Sequence, residues 1–178
     1  MKKVLVIAAH LDDEILGCGG TLLKHKEQGD QIDVCIATSP HESAWTKEYV
    51  EKKINQSQEV DEILGTKKRY FANFPSVALN VVPSIAFNSK IGEIISESNP
   101  DIIYTHHRGD INVDHQLVYD GVMVNTRPIK KKIKVLCFET VSSTEWSNRS
   151  FTPNMYVEIG DFIDKKIEMF NKYTSEVK

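Results

Sequence analysis

Cysteine is scarce in this chain: three in 178 residues, Cys18, Cys35 and Cys137, widely scattered and never in a CxxC pair. That excludes a disulfide framework and a thiolate zinc site, and leaves each as a small buried hydrophobe. Positive charge is not in excess either. Lys and Arg number 22 against 25 Asp and Glu, a net charge of -3, so no nucleic-acid partner is expected, because such a partner calls for a basic face. Long apolar runs are missing, and none approaches the ~18 residues of a membrane span. Two lysines precede the first apolar stretch, but it covers only Val4 to Ala9 and acids follow it at once. A secretory h-region is longer and ends in a small-residue cleavage site, so the expected location is the cytoplasm. Repeats, low-complexity tracts and linkers are also lacking. The length suits a single domain, 1–178, able to bury a substantial core.

What is present is alternation. "KVLVIAA" (3–9) is rich in Val and Ile without a polar/apolar period, the pattern of a strand buried on both faces. A helix over Glu14–Gln28 ends before the turn at Gly29. Strands follow at 32–38, at "KRYFAN", at "DIIYTHH" and at "KVLCFET", with "NMYVEI" (154–159) as a candidate sixth. Between them come helices from about Ala44 to Leu64, stopped by Gly65, from Ser84 to Ser98, closed by Pro100, and from Asp114 to Asn125. The chain finishes in a helix with Ile163, Ile167 and Phe170 at i, i+4, i+7. Strand and helix in alternation predict an α/β fold: a Rossmann-like, three-layer sandwich with a mostly parallel sheet. Ligands of such sheets bind beyond the carboxyl ends of the strands. The basic run "KKKIK" (130–134) reads as a solvated lead-in to a strand.

Two polar clusters sit at such strand ends. In "VIAAHLDDEILGCGG" (6–20), His10 ends the first strand, and Asp12, Asp13 and Glu14 follow where a helix begins. Acids at a helix start cap it and face its macrodipole, so they need no chemistry by themselves. A dinucleotide site is disfavoured, because the glycines of "GCGG" come after the helix has started and acids occupy the place where phosphates would dock. His and Asp also suit a zinc ion, whose catalytic sites have three protein ligands and an open position. The second cluster, "YTHHRGDINVDHQL" (104–117), leaves the fourth strand at the same sheet end. It packs His106, His107, Asp110, Asp114 and His115 into ten residues. A polar surface loop capped by Asp114 accounts for it alone. Two such clusters at the ends of two parallel strands favour a metal site.

These residues resemble a known family. "AAHLDDE" is similar to the AHPDDE motif of the PIG-L/LmbE-like zinc deacetylases, and "HHRGDINVDH" to their second motif, H-x-x-x-D-x-[HN]-x-D-H. "ETVSSTEW" (139–146), "FTPNMYVEI" and "KYTSE" resemble the branch associated with cell-surface sugar biosynthesis. The resemblance runs through essentially the whole chain. It implies an enzyme that removes the N-acetyl group from an N-acetylglucosamine-type amino-sugar conjugate, a small-molecule substrate. The metal would be Zn2+ or another divalent ion, bound by His10, Asp13 and His115. It implies a zinc-bound water as nucleophile, Asp12 as general base returning its proton to the leaving amine, and Asp114 as a group that orients its neighbours. Asn112 stands where many members carry a His that assists the oxyanion. Asn donates a hydrogen bond there but supplies no proton. Leu11 replaces the usual Pro. Relatives commonly continue past "Y-x-S-E" with a PHPRS-like stretch and a further helix; the C-terminal part is shorter than is typical, and the expectation is that part of the substrate wall is either missing or comes from another subunit of a homo-oligomer.

Arg108, Asp110 and Trp146 are the candidates for touching substrate: Arg108 for a phosphate or carboxylate, Trp146 for a sugar ring. Ser142, Ser143, Thr144 and Glu145 share the loop of Trp146. His41 and Glu42 follow the second strand, while His25 reads as an ordinary helix residue. Two rival functions remain at this level: cleavage of another amide on a small metabolite, and a metal-binding but catalytically weak member of the family.

Overall fold

The apolar run at the start of the chain becomes the central strand of the sheet. In the computed structural model, which describes residues 1–40, 45–129 and 131–176, β1 (Lys3–Ala8) pairs with β2 (Gln31–Ser39) on one side and β4 (Ile102–His106) on the other. β3 (Lys68–Pro75) lies outside β2 and β5 (Lys134–Phe138) outside β4. The order is β3-β2-β1-β4-β5, with every pair parallel. Parallel neighbours need crossovers, and these are α1 (Asp13–Glu27), α2 (Lys47–Leu64), α3 (Ser84–Ser98) and α4 (Val113–Asn125), with α5 (Ile163–Lys172) after the last strand. The expected Rossmann-like sandwich is therefore present, all-parallel among the described residues.

The side-chain period of two splits β1 between two cores. Val4, Val6 and Ala8 face a cluster with Ile15 and Leu22 of α1, Val60 and Leu64 of α2, and Met169 near the end of α5. Leu5, Ile7 and Ala9 face the opposite cluster, with Phe87, Ile91 and Ile94 of α3 and Val118 and Val122 of α4. Burial on both faces is the reason the strand reads as continuous rather than alternating hydrophobicity. None of the described helices is long and apolar enough to cross a membrane.

Local signals fix the helix ends. Thr46 Oγ1 accepts the Tyr49 N–H at 3.2 Å and starts α2 at Lys47; Ala44, the expected start, lies outside the described residues. Gly65 (φ 75°) and Asn99 (φ 48°) adopt the left-handed conformation that ends α2 and α3. Asn112, not Asp114, caps α4, with its Oδ1 accepting the Asp114 N–H at 2.9 Å.

Three expectations fail. Residues 154–159 form no strand. Their end lies against α1, where Lys24 Nζ donates to the Glu158 carbonyl (3.2 Å) and Ile159 covers Gly20. Asn154, Met155 and Tyr156 are all exposed, and only Val157 and Ile159 are partly buried. Ile163 and Ile167 are largely exposed, because α5 docks through its second half, by Met169, Phe170 and the following Tyr173. Cys137 is exposed while Cys18 and Cys35 are buried.

The glycines of α1 serve close packing. A methyl group at Gly17 would overlap the ring of Phe138 in β5, whereas one at Gly19 would meet Ile15 and Lys166 at 3.2 and 3.4 Å. Alanine in a helix gains about 1 kcal/mol over glycine, and overpacking costs about 1–3 kcal/mol. Gly17→Ala should therefore destabilise the protein by about 1–2 kcal/mol, and Gly19→Ala should come out close to neutral. Urea midpoints of the two variants test this, and equal stabilisation of both would contradict it.

Candidate metal centre

Both polar clusters reach one point above the sheet. Helix α1 leaves the end of β1 to one face and α4 leaves the end of the adjacent β4 to the other. The crevice between two strands that diverge in this way is where open α/β sheets bind ligands. His10 lies just after β1, Asp13 opens α1, and His115 stands in the first turn of α4.

Three atoms form a nearly equilateral triangle. His10 Nδ1 is 3.2 Å from Asp13 Oδ2, His115 Nε2 is 3.3 Å from the same oxygen, and the two ring nitrogens are 3.3 Å apart. A tetrahedral ion with bonds of about 2.0–2.1 Å has ligand–ligand edges of about 3.3 Å. The other nitrogen of each ring is held from behind by a carboxylate. His10 Nε2 is 3.1 Å from Asp114 Oδ2, and His115 Nδ1 is 3.0 Å from Asp110 Oδ2. Carboxylates placed this way orient metal-binding imidazoles and raise their basicity. The donor set, two nitrogens and one carboxylate oxygen, fits a divalent ion of the zinc type.

The carboxylates are themselves pinned. Asp110 also accepts from the Asn112 N–H (2.8 Å), Ser143 Oγ (2.8 Å) and Thr144 Oγ1 (3.0 Å). Asp114 accepts from the backbone of Val77 (2.7 Å) and Leu79 (3.3 Å). His106, fully buried and stacked on His115 at 3.8 Å, has its Nε2 3.5 Å from Asp13 Oδ2 but is hydrogen-bonded to other partners. Its Nε2 accepts the Ala9 N–H at 2.9 Å, which leaves Nδ1 to donate to Thr140 Oγ1 at 3.3 Å. A second grouping of His106, Asp110 and His115 is thus a set of supports rather than of ligands.

Charge follows from this packing. Burial drives imidazoles towards neutrality, but the carboxylates of Asp114 and Asp13 outweigh it at His10 and raise its pKa to about 10. At His115 burial is again outweighed, by Asp13 and Asp110, and the value rises to about 9. At His106 burial wins and holds the ring neutral, with a pKa of about 3. Asp13 is buried, yet the surrounding imidazoles hold its carboxyl well below the usual range. Asp12 moves the other way, pushed up by burial and by the adjacent Asp13 against the pull of Lys53.

Asp12 is bound into no ligand triangle. It sits at φ 118°, ψ -32°, a conformation that L-residues rarely adopt. Its N–H is taken by Glu14 Oε2 at 3.0 Å, and Glu14 is held in turn by Tyr173 Oη (2.8 Å) and Arg69 Nη1 (3.2 Å). Val77, at φ 62°, is a second strained residue whose N–H meets a buried carboxylate, that of Asp114. Such strain, of order 1–3 kcal/mol per residue, concentrates at functional sites. Asp12, His10, Asp13, Asn112 and His115 line one cleft of ≈ 730 Å³, together with Trp45, Tyr49, Lys53, Val77 and Ser143.

The PIG-L family, described as GlcNAc-PI de-N-acetylase, matches residues 5–125, the span that contains every residue of the triangle. The chain belongs to this family. The chain is also similar to the uncharacterized deacetylase YaiS of Escherichia coli K12, 27% identical over 179 residues that cover 98% of this chain and 91% of YaiS. Among solved structures, the conserved protein TT1542 from Thermus thermophilus matches with a TM-score of 0.81 at 24% identity, covering 98% of this chain and 80% of that one. The N,N'-diacetylchitobiose deacetylase from Pyrococcus horikoshii matches with a TM-score of 0.76 at 20% identity, covering 99% and 71%. These two structural likenesses speak for the fold.

Of the residues picked from the PIG-L motifs, the structure brings His10, Asp12, Asp13, Asn112 and His115 into the cleft. Asp114 supports His10 from behind. Asp110, expected against substrate, is 2% exposed and fully engaged in holding His115 and its loop. Arg108 and Trp146 line a second pocket beside the cleft. His25 is tied to Asp30 and Tyr104 away from the site, and His41 and Glu42 lie outside the described residues. Lys53 went unnoticed in the sequence. Its side chain is 7% exposed, with Nζ 2.7 Å from Glu176 and 3.7 Å from Asp12. In "KEYVEKKINQSQEV" it looks like one more charge on a solvated helix face. Tyr173 and Thr174 fall in the "KYTSE" stretch, but their contacts to Glu14 and Gln56 span more than a hundred residues and have no local signature.

Binding a cation to the triangle requires both imidazoles to lose the protons that their carboxylates hold up to about pH 9–10. Zinc uptake near pH 7 should thus release about two protons, and affinity should rise about 100-fold per pH unit between about pH 6 and 7.5. Competition titrations with a chelator measure the slope, and affinity independent of pH would contradict the assignment.

Proposed function

We propose that this protein is a metal-dependent hydrolase that removes the N-acetyl group from an amino-sugar conjugate, with His10, Asp13 and His115 as the ligands of a divalent ion, zinc in the first instance. The observation that carries the reading is the triangle of candidate ligands with the Asp12 carboxylate outside it, 3.7 Å from Lys53 Nζ, in the same open cleft. The family description, the relative named a deacetylase and the chitobiose deacetylase of the same fold support the reaction class and an amino-sugar substrate.

A divalent ion held there supplies Lewis-acid polarisation of the amide carbonyl and a water acidified towards neutrality. The chain's own groups supply the rest. Asp12 takes the proton of the attacking water and returns it to the leaving amine. Its raised pKa suits that exchange, because a carboxylate near neutrality both accepts and gives. Glu14, clamped by Arg69 and Tyr173, fixes the backbone of Asp12 so that the carboxylate need not search for its position. Asn112 spends its Oδ1 on the α4 cap, so the group it offers to the cleft is its NH2, a donor for the developing oxyanion. Asp114 does not reach the reacting amide. Its part is to hold His10 and the backbone at Val77 and Leu79.

Acetate release from a panel of N-acetylhexosamine conjugates, with bound metal measured in parallel, tests the reading. The wild type should carry about one metal ion and release acetate. Asp12→Asn should keep the metal and lose about 10²–10⁴-fold in turnover. Equal rates in the two proteins would remove Asp12 as the base, and metal without acetate release from any conjugate would overturn the reaction.

A further inference from the structure

Beside the cleft lies a second pocket of ≈ 610 Å³ whose walls are mostly polar, lined by Arg108, Asp110, Gln116, Asn148 and Arg149 together with Trp146. Two loops separate it from the metal cleft. On the loop after β4, Asn112 lines the cleft and Ile111 the pocket. On the loop after β5, Ser143 lines the cleft and Trp146, three residues on, the pocket. The same two loops are locked together by Asp110, which accepts from Ser143, Thr144 and the Asn112 N–H. The ridge between cleft and pocket is therefore a braced structure, and a ligand lying over it has one end in each.

The chemistry of the pocket is that of a sugar site. Trp146 is 73% exposed, and a single exposed aromatic means nothing alone. Here it stands among planar polar side chains. Gln116 donates its Nε2 to the Asp110 carbonyl (2.6 Å), which leaves its Oε1 as an acceptor. A pyranose ring offers a C–H face to an indole and a rim of hydroxyls to amides. The pocket also holds cationic charge. Arg108 is already paired with Asp120 through its Nε at 2.9 Å and its Nη2 at 3.5 Å, whereas Arg149 has no carboxylate partner among the described residues. A free guanidinium presents the fork that matches a carboxylate or a phosphate.

We propose that this pocket is a subsite for a negatively charged sugar unit, its ring on Trp146 and its carboxylate or phosphate on Arg149 with Arg108, in a conjugate whose N-acetyl group lies across the ridge in the cleft. The part of the proposal that concerns the cleft rests on the deacetylase reading. Binding in the pocket does not.

The metal-free protein, titrated with glucuronic acid, with glucose 6-phosphate and with glucose, separates the two. The readout is the indole Nε1–H signal of Trp146 in ¹⁵N-correlated spectra, with Trp45 in the neighbouring cleft as internal comparison. Both anionic sugars should shift the Trp146 signal saturably. Arg149→Gln should raise the dissociation constant by about fivefold or more, and glucose should bind more weakly than either anion by a similar factor. Whichever anion binds more tightly identifies the group, carboxylate or phosphate. Trp146→Ala, read from the ligand's own signals, should abolish binding. Both side chains are exposed, so neither substitution removes core contacts. An unmoved Trp146 signal, equal affinity in Arg149→Gln, or glucose binding as tightly as the anions would overturn the proposal. Wild-type protein that releases no acetate would overturn the deacetylase reading and leave this result standing.

Discussion

One carboxylate oxygen organises the upper edge of this sheet. Asp13 Oδ2 lies 3.2, 3.3 and 3.5 Å from the imidazoles of His10, His115 and His106, and it accepts the His10 N–H at 2.9 Å. A buried carboxylate with so many positive or polar neighbours cannot be moved without unsatisfying all of them. It sits at the first residue of α1, where the helix dipole also favours negative charge. Because His10 follows β1 and His115 opens α4, the same oxygen ties together the two helices that leave the sheet in opposite directions. The fold brings these residues to one point, and the site then depends on carboxylates for its order. Asp13 stands in front of the rings, Asp110 and Asp114 behind them.

Asp12 is held by a separate set of contacts. Glu14, next in sequence to Asp13, turns to the opposite side and grips the backbone of Asp12 with Arg69 and Tyr173 as its own partners. Adjacent acids thus have different jobs because a helix start points successive side chains in different directions. The carboxylate that meets the imidazoles and the one that holds the Asp12 backbone are neighbours in sequence. Strain at Asp12 and Val77 is tolerated because each strained N–H ends on a buried carboxylate.

Much of this was legible in the residues. The doubly buried strands announce themselves as unbroken Val and Ile, and His10, Asp13 and His115 stand at strand-to-helix junctions where an α/β sheet keeps its ligands. Other features were not legible, for physical reasons. "NMYVEI" alternates whether its partner is a strand or, as here, α1. Asp110, Arg108 and Trp146 were grouped as substrate contacts because they share a loop region with the site. A sequence does not say on which side of a ridge a side chain falls: Arg108 and Trp146 line the second pocket, and Asp110, at its edge, is buried with its carboxylate on His115. Lys53 is a lysine in a charged helix, and only the chain's return through Glu176 to the same place makes it a buried ion pair.

The central claim is that His10 Nδ1, His115 Nε2 and Asp13 Oδ2 together hold one divalent ion. Zinc K-edge absorption fine structure of the protein loaded with one equivalent of zinc tests it most directly. The account predicts a first shell of nitrogen and oxygen at about 2.0–2.1 Å with the outer-shell scattering of two imidazoles, reduced to one imidazole in His115→Ala. A sulfur shell at about 2.3 Å, or a spectrum unchanged by His115→Ala, would contradict it.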